Sequence, residues 1–417
     1  MSNTLTQILV DNQEVNDNIH AFLKAFHVSE LLRQCHAYKV KGFSVIEIFT
    51  YILSMMFSQT SIYMSMRIGT YKEKFAKNTI YRFCNNAKIN WHKFVRLLSK
   101  NLISDFIRPA TSEKRNEYFV IDDTPFPKSG KCTELVGKYF NHVTNKFEYG
   151  YRILSLIWTD EYTNIPVDFS PLSSSNNDLL LCGAKKCDKR SIAGKTRKLA
   201  QEKAPVVVYE MLKKALNAGH SAKYVLFDTW FAMPKLITQI KNNLGLDVIA
   251  MIKKTGKVYY EYENRQLSVE KIFSINKKRP GKSKYLLSVN VNIIQKENKK
   301  IISRIPAKIV YVRNKSKKKD WIAIVSTDID IYEEEIIRRY GNRWNIEVYF
   351  KTSKQYLKML KECNSTSFDS FTCHLAIVAV RYMMLSYYER AQNDGRSLGE
   401  LFWLMIAEVV EISFNHA

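Results

Sequence analysis

The chain has 417 residues, of which 46% are hydrophobic; that length allows two or three domains and that apolar fraction excludes wholesale disorder. Lysine and arginine number 64 against 40 aspartates and glutamates, a formal net charge of +24. Such an excess points to a polyanionic partner, with nucleic acid ahead of a membrane surface. The opening "MSNTLTQILVDNQEVND" has no basic start followed by an apolar run, so no signal peptide is expected. The seven cysteines are scattered and odd in number, which argues for a reducing cytoplasm rather than a disulfide framework. Cys182 and Cys187 have no second Cys pair or nearby His to complete a zinc site.

Residues 1–115 read as a helical N-terminal domain. Apolar residues recur at helical spacing in "VSELLRQCHAYKV", "FSVIEIFTYILSMMF" and "INWHKFVRLLSKNLISDFI". The second of these is too short to span a bilayer and carries Glu47, so it reads as a buried helix. The basic, aromatic stretch "SMRIGTYKEKFAKNTIYRFCNNAKIN" suits either a DNA-touching helix or a solvated face.

The pattern changes at "EYFVIDDTPFPKSGK", a short apolar run closed by two aspartates and two prolines, hence a buried strand and a turn. "YGYRILSLIWTDEYTNIPVDFSP" predicts two strands and a tight turn. The basic "CGAKKCDKRSIAGKTRKLAQEK" predicts a loop, and "APVVVYEMLKKALNAG" a helix ending at Gly219. "AKYVLFDTWFAMPKLITQIKN" follows as strand, loop and helix. Residues 241–328 are strand-rich, with lysine-rich stretches at 277–284 and 317–319, and residues 329–390 are helical again. "RSLGELFWLMIAEVVEISFNHA" predicts a C-terminal helix within 391–417. The order is that of an α/β core, 116–240 and 329–390, interrupted by a β insertion and preceded by helices.

Asp122 and Asp228 each close an apolar strand, and Glu347 lies in the helical "YGNRWNIEVYFKTSK". An aspartate at a strand tip is usually a turn former. Two of them in one basic chain suit a different task, because carboxylates from separate strands and a helix can hold hard cations for phosphodiester chemistry. At 100° per residue, Tyr340, Arg343, Glu347 and Lys354 fall within a sector roughly 60° wide. That face offers a carboxylate flanked by a guanidinium and an ammonium, both suited to phosphate; pairing within the helix is the plainer alternative.

Tyr340, Arg343, Glu347 and Lys354 form "Y-x2-R-x3-E-x6-K", which resembles the signature of bacterial DDE transposases of the insertion-sequence-four type. The "D-x-T" that follows an apolar strand in that family resembles Asp122 with Thr124, although Asp123 is a rival, slipped by one residue. Asp228 resembles the second acid, yet its "DTWF" departs from the family's usual Asp-Arg or Asp-Gly pairing. The resemblance implies a ribonuclease-H-like mixed sheet with flanking helices and a mostly β insertion. It implies three carboxylates, Asp122, Asp228 and Glu347, holding two Mg²⁺ ions, with Mn²⁺ able to substitute. Tyr340, Arg343 and Lys354 would hold the DNA end. The implied partners are double-stranded DNA, as terminal inverted repeats and target, and a second copy of the chain in the synaptic complex. The implied activity is cut-and-paste transposition, through a hairpin in several relatives, where Trp321 resembles the tryptophan that stacks a flipped base. Two rival functions are a DNA-binding protein that no longer cuts and a metal-dependent nuclease that cuts without joining.

Overall fold

A computed structural model of the chain describes residues 18–391 and 398, apart from 58–60, 70, 72–74, 142–143, 281–282, 299 and 315–319. The helix expected within 391–417 and the lysines at 317–319 therefore lie outside the described residues, except that Ala391 ends a helix and Leu398 is helical.

The N-terminal part carries helices α1 (Val28–Gln34), α2 (Val45–Ser54), α3 (Ile62–Arg67), α4 (Lys77–Cys84) and α5 (Trp91–Asn101). The apolar stretch around residue 50 is α2, buried along Ile48, Phe49, Ile52 and Leu53. Its charged residue, Glu47, belongs to the cap. The Glu47 carboxylate accepts the Ser44 N–H at 2.8 Å while the Ser44 side chain accepts the Glu47 N–H. That reciprocal box satisfies two donors that a helix start leaves open.

Strands β1 (Tyr118–Pro127), β2 (Gly137–Asn141), β3 (Lys146–Thr159) and β4 (Asn164–Leu172) come next. Helices α6 (Ile192–Ala200) and α7 (Ala204–Asn217) lead to β5 (Tyr224–Phe227), α8 (Pro234–Leu244) and β6 (Asp247–Ile252). Strand β4 pairs antiparallel with β3 and β3 with β1, whereas β1, β5 and β6 run parallel. An antiparallel edge joined to a parallel half, with helical crossovers, is a ribonuclease-H-like mixed sheet.

The segment after β6 does not form a separate body. It contributes β7 (Tyr260–Tyr262), β8 (Arg265–Leu267), α9 (Val269–Ile275), β9 (Leu287–Glu297), β10 (Lys300–Arg313) and β11 (Trp321–Ser326). Strand β11 pairs antiparallel with β6, so the inserted strands prolong the core sheet to eleven strands, in the order β2-β3-β1-β5-β6-β11-β10-β9-β7-β8 with β4 on β3. Helix α6 stands in the stretch expected to be a loop, and β2, β8 and α9 escaped the sequence reading. Helix α9 sits inside a strand-rich stretch, started by Ser268, whose side chain accepts the Lys271 N–H. Strand β2 is only five residues long.

The last helices are α10 (Glu333–Gly341), α11 (Asn345–Gln355) and α12 (Phe368–Ala391). Helix α12 is long and apolar enough to cross a membrane, yet 89% of its most apolar window is buried inside the protein. A helix that is apolar all round is here a core element. Its start is tied down by a buried ion network. Glu134, fully buried, binds Arg197 through Nε at 2.6 Å and Nη2 at 3.0 Å, and accepts the Phe368 N–H at 3.2 Å. Arg197 in turn binds Asp369 through two contacts of 2.8 Å. Removing one member of a buried set leaves its partner's charge uncompensated. Glu134→Ala is therefore expected to destabilise the fold by about 3–5 kcal/mol in urea denaturation; a loss below about 1 kcal/mol would show that Asp369 alone satisfies Arg197.

Candidate active site

Asp122 and Asp228 are brought together by strand register. Tyr118, Phe119 and Val120 of β1 stand beside Tyr224, Val225 and Leu226 of β5. The pairing stops at Val120, and two positions further on Asp122 is close enough to Asp228, which directly follows β5, to feel its charge. Neighbouring strands are about 4.8 Å apart, and residues at equal register point to the same face. Asp122 does not close its strand as expected: pairing with β3 carries β1 on to Pro127, so Asp122 lies mid-strand, while Asp228 directly follows β5.

Asp123 faces the other way. Its Oδ1 lies 2.6 Å from Arg152 Nη2 on β3, and the Arg152 guanidinium also lies over the Trp230 ring at 5.1 Å. Asp122 Oδ2 instead accepts a hydrogen bond from Arg343 Nη1 at 2.9 Å, and Oδ1 accepts the Asp123 N–H at 2.8 Å. Asp228 Oδ1 accepts the Trp230 N–H at 2.8 Å, which shapes the turn after β5.

The helix expected over 340–354 is interrupted. Helix α10 ends at Gly341, a 3-10 turn spans Asn342–Trp344, and α11 begins at Asn345. Two of the four motif residues, Arg343 and Lys354, bond to β1. Tyr340 buries its hydroxyl within electrostatic reach of Arg343, Asp228 and Asp122. Arg343 sits between two acids, 2.9 Å from Asp122 and 3.6 Å from Glu347 Oε1. Lys354 Nζ donates to Thr124 Oγ1, two residues beyond Asp122 on the same face of β1. Glu347 is the most open of the set, its side chain 41% exposed.

Charge in this pocket is out of balance. Burial, and then the negative charge of Asp228, push the Asp122 carboxyl up to about 7, against the pull of the Asp123 N–H and of Arg343. Burial likewise lifts the Tyr340 phenol to about 12, with Arg343 opposing. Burial lowers the Lys354 ammonium below its ordinary value, offset in part by Glu347. Arg343 is raised despite its burial, because Tyr340, Asp122 and Glu347 favour its charge.

An all-carboxylate donor set with no thiolate or imidazole is that of a hard, oxygen-seeking cation. Its surplus negative charge at Asp122 and Asp228 fits such an ion. Among the described residues, however, no three His, Cys, Asp or Glu side chains lie close enough together to hold a metal as they stand. The Arg343 guanidinium holds the place between Asp122 and Glu347.

Trp321 opens β11 in an aromatic cluster. Its ring stacks on Phe273 at 4.7 Å, meets Tyr311 edge-on at 5.2 Å, and has Lys254 Nζ 4.1 Å from its centroid. It lies on β11, which a single strand, β6, separates from β5. Two exposed indoles lie nearer the acids: Trp230, 45% exposed beside Asp228, and Trp344, 65% exposed beside Arg343. Their adjacency to motif residues was the only sequence signal for them. Arg152 had none, because its role depends on cross-strand pairing.

The family model for DDE superfamily endonucleases matches residues 47–274, and the model for the transposase DDE domain matches residues 202–384. No curated protein matches the chain. The chain belongs to the DDE superfamily of endonucleases. Its carboxyl-terminal part is similar to the DDE domain of transposases, which generally use divalent metal ions.

The Asp122 shift carries a stability consequence. In the folded chain Asp122 keeps its proton up to about pH 7, whereas an unfolded aspartate loses it near pH 4. Folding stability therefore falls as pH rises between those values. Asp122→Asn is expected to exceed the native chain in stability by about 2–4 kcal/mol at pH 8 without divalent ions, with the gap closing below about pH 4. Urea titrations at both pH values measure this, and a gap that does not change with pH would remove the charge conflict as its cause.

Proposed function

We propose that the chain is a DNA transposase of the insertion-sequence-four type, which cleaves phosphodiester bonds at the ends of its element and joins the freed 3′-hydroxyl to target DNA. The supporting observation is the mutual charge of Asp122 and Asp228, with Arg343 bridging Asp122 to Glu347 and Lys354 bonded to Thr124 on the same strand. Asp122 is preferred over Asp123 as the first catalytic acid because Asp123 is committed to Arg152 on the opposite face. In this reading Asp122, Asp228 and Glu347 are the metal ligands. Divalent ions there, Mg²⁺ with Mn²⁺ able to substitute, would activate the attacking oxygen and stabilise the leaving one.

The chain's own residues bind and orient the DNA end. Arg343 offers a planar fork of donors to a phosphate. A phosphate that takes the guanidinium withdraws it from Asp122 and Glu347, so engagement of DNA and release of the acids are one event. Lys354, held by Thr124, sets a second positive charge on the same face, and Tyr340 walls the pocket. The aromatic cluster around Trp321 supports an anchoring role in the insertion over a base-stacking one.

The helical domain 1–115 supplies a further DNA surface, with Lys77, Tyr81 and Arg82 on α4 and Arg67 on α3. The core comprises 116–240 and 329–390, and of the insertion 241–328 strand β6 belongs with the core sheet. A homodimer that pairs two element ends, a hairpin intermediate and action in the cytoplasm complete the reading. One observation favours a second: an arginine between the acids would equally suit a descendant that binds DNA without cutting.

Purified protein with Mg²⁺ and DNA from the borders of its coding sequence decides among these. Nicked and joined products are expected. Nicks without joining would indicate a nuclease, and binding without nicks a silent relative. Glu347→Gln should abolish nicking with end binding kept, since it removes a charge and keeps the shape; loss of binding together with unfolding would make Glu347 structural. Arg343→Ala should weaken end binding and reduce the salt slope by about 1, and an unaltered slope would exclude a phosphate contact.

A further inference from the structure

A patch outside the acid pocket remains unused. Strands β2 and β3 form a ribbon that runs past the end of β1. Gly150 pairs with Pro127, the last residue of β1, and with Gly137 of β2. Gly150 has φ 154°, and a Cβ there would lie 2.1 Å from the Phe126 carbonyl oxygen. The ribbon thus leaves the sheet through a backbone that only glycine permits.

Beyond that point its aromatic residues face solvent. Phe147 is 65% exposed, Tyr149 43% and Phe140 38%. The Phe140 and Phe147 rings meet edge-on at 5.3 Å, and Lys138 Nζ lies 5.0 Å from the Phe147 centroid. Tyr149 is the cross-strand neighbour of Lys138, so these four side chains share one face. The ribbon's acid, Glu148, belongs to the other face, where Tyr139, Asn141 and Thr144 donate to it at 3.1, 3.0 and 2.7 Å. Among the described residues of the ribbon, the aromatic face therefore carries a cation and no carboxylate.

This face continues the one that bears Asp122. Asp122, Thr124 and Phe126 stand opposite Ser155, Ile153 and Tyr151, and the next alternate positions on β3 are Tyr149 and Phe147. Phe147 is eight residues along β3 from Ser155, at most about 28 Å from Asp122.

We propose that the β2–β3 ribbon is a stacking platform for unpaired nucleotides of the DNA strand leaving the carboxylates, an inference that rests on the DNA-cleaving reading above. Exposed rings with an ammonium and no acid fit a base face and its phosphate. An intact duplex offers base faces only after costly unstacking, whereas an unpaired strand offers them directly. A second copy of a chain with net charge +24 would bring like charge to this face and is disfavoured.

The test uses full-length protein, the double variant Phe147→Ala/Tyr149→Ala and the conservative Phe147→Trp. Each is titrated with a labelled blunt duplex from the borders of its coding sequence, and with the same duplex bearing an oligothymidine tail containing 2-aminopurine. The native chain and Phe147→Trp are expected to bind the tailed DNA about tenfold more tightly than the blunt one and to quench the 2-aminopurine. The double variant should bind both alike while nicking the blunt duplex at the native rate. An equal tail preference in the double variant, or none in the native chain, overturns the platform. So does a native chain that leaves the probe unquenched, a result that does not depend on the variants folding. A change of oligomeric state in the double variant with tail preference kept would make the patch a contact between copies and also overturn it. Nicking of the blunt duplex reports separately on the cleavage reading, so the two can fail independently.

Discussion

Two like charges held side by side are the constraint around which this structure is arranged. Tyr118–Ile121 and Tyr224–Phe227 are buried throughout, and their parallel pairing fixes the register of β1 and β5. A slip of one residue would turn every side chain to the opposite face, so hydrophobic packing holds the register firmly. The same register delivers Asp122 and Asp228 to one spot, where neither benefits from the other. Core packing thus sustains an electrostatic arrangement that would not persist alone, as is common where strain or charge conflict serves a site.

Relief comes from the opposite side. The α10–α11 segment brings Arg343 to Asp122 and leaves Glu347 on the open flank. A continuous α-helix would place Arg343 and Glu347 as an ordinary pair one turn apart, worth about 0.3–0.5 kcal/mol. The 3-10 turn at Asn342–Trp344 sits at the point where the arginine must reach the sheet. Short 3-10 pieces within helices often mark such junctions. The outcome is a guanidinium with two carboxylate partners of unequal burial, the buried Asp122 at hydrogen-bond distance and the exposed Glu347 beyond it.

Much of this was legible in the residues. The two apolar runs ending in aspartate announced β1 and β5, and the capping box of α2 explained the charge in its apolar stretch. The helical character of 340–354 was legible too, apart from its 3-10 break. What could not be read depends on contacts between distant segments. The preference for Asp122 over Asp123 needs Arg152, which lies on another strand. The break in the helix needs the sheet that Arg343 reaches. The strands of the insertion were legible, but their attachment to the core sheet was not, because it rests on the pairing of β11 with β6. Helix α9 was hidden because it is only seven residues long, with β-rich sequence on both sides. The neighbours of Trp321 in space, Phe273, Tyr311 and Lys254, come from three separate segments and could not be read from its neighbours in sequence.

The arrangement at Arg343 has a consequence for how DNA and cations interact. One guanidinium cannot fully serve two carboxylates and a phosphate. Any anion that competes for it raises the surplus negative charge at Asp122 and Asp228, and so raises the attraction of that spot for cations. By linkage the converse holds equally: a cation that neutralises the acids loosens their hold on Arg343 and frees it for phosphate. Positive cooperativity between DNA and divalent ions then requires no movement of the sheet, only a change of partner by one side chain on a short 3-10 junction. The rigid part of the protein, the fused sheet with α12 buried beneath it, fixes the two aspartates. The exposed part, Glu347 and Arg343, is where partners are exchanged.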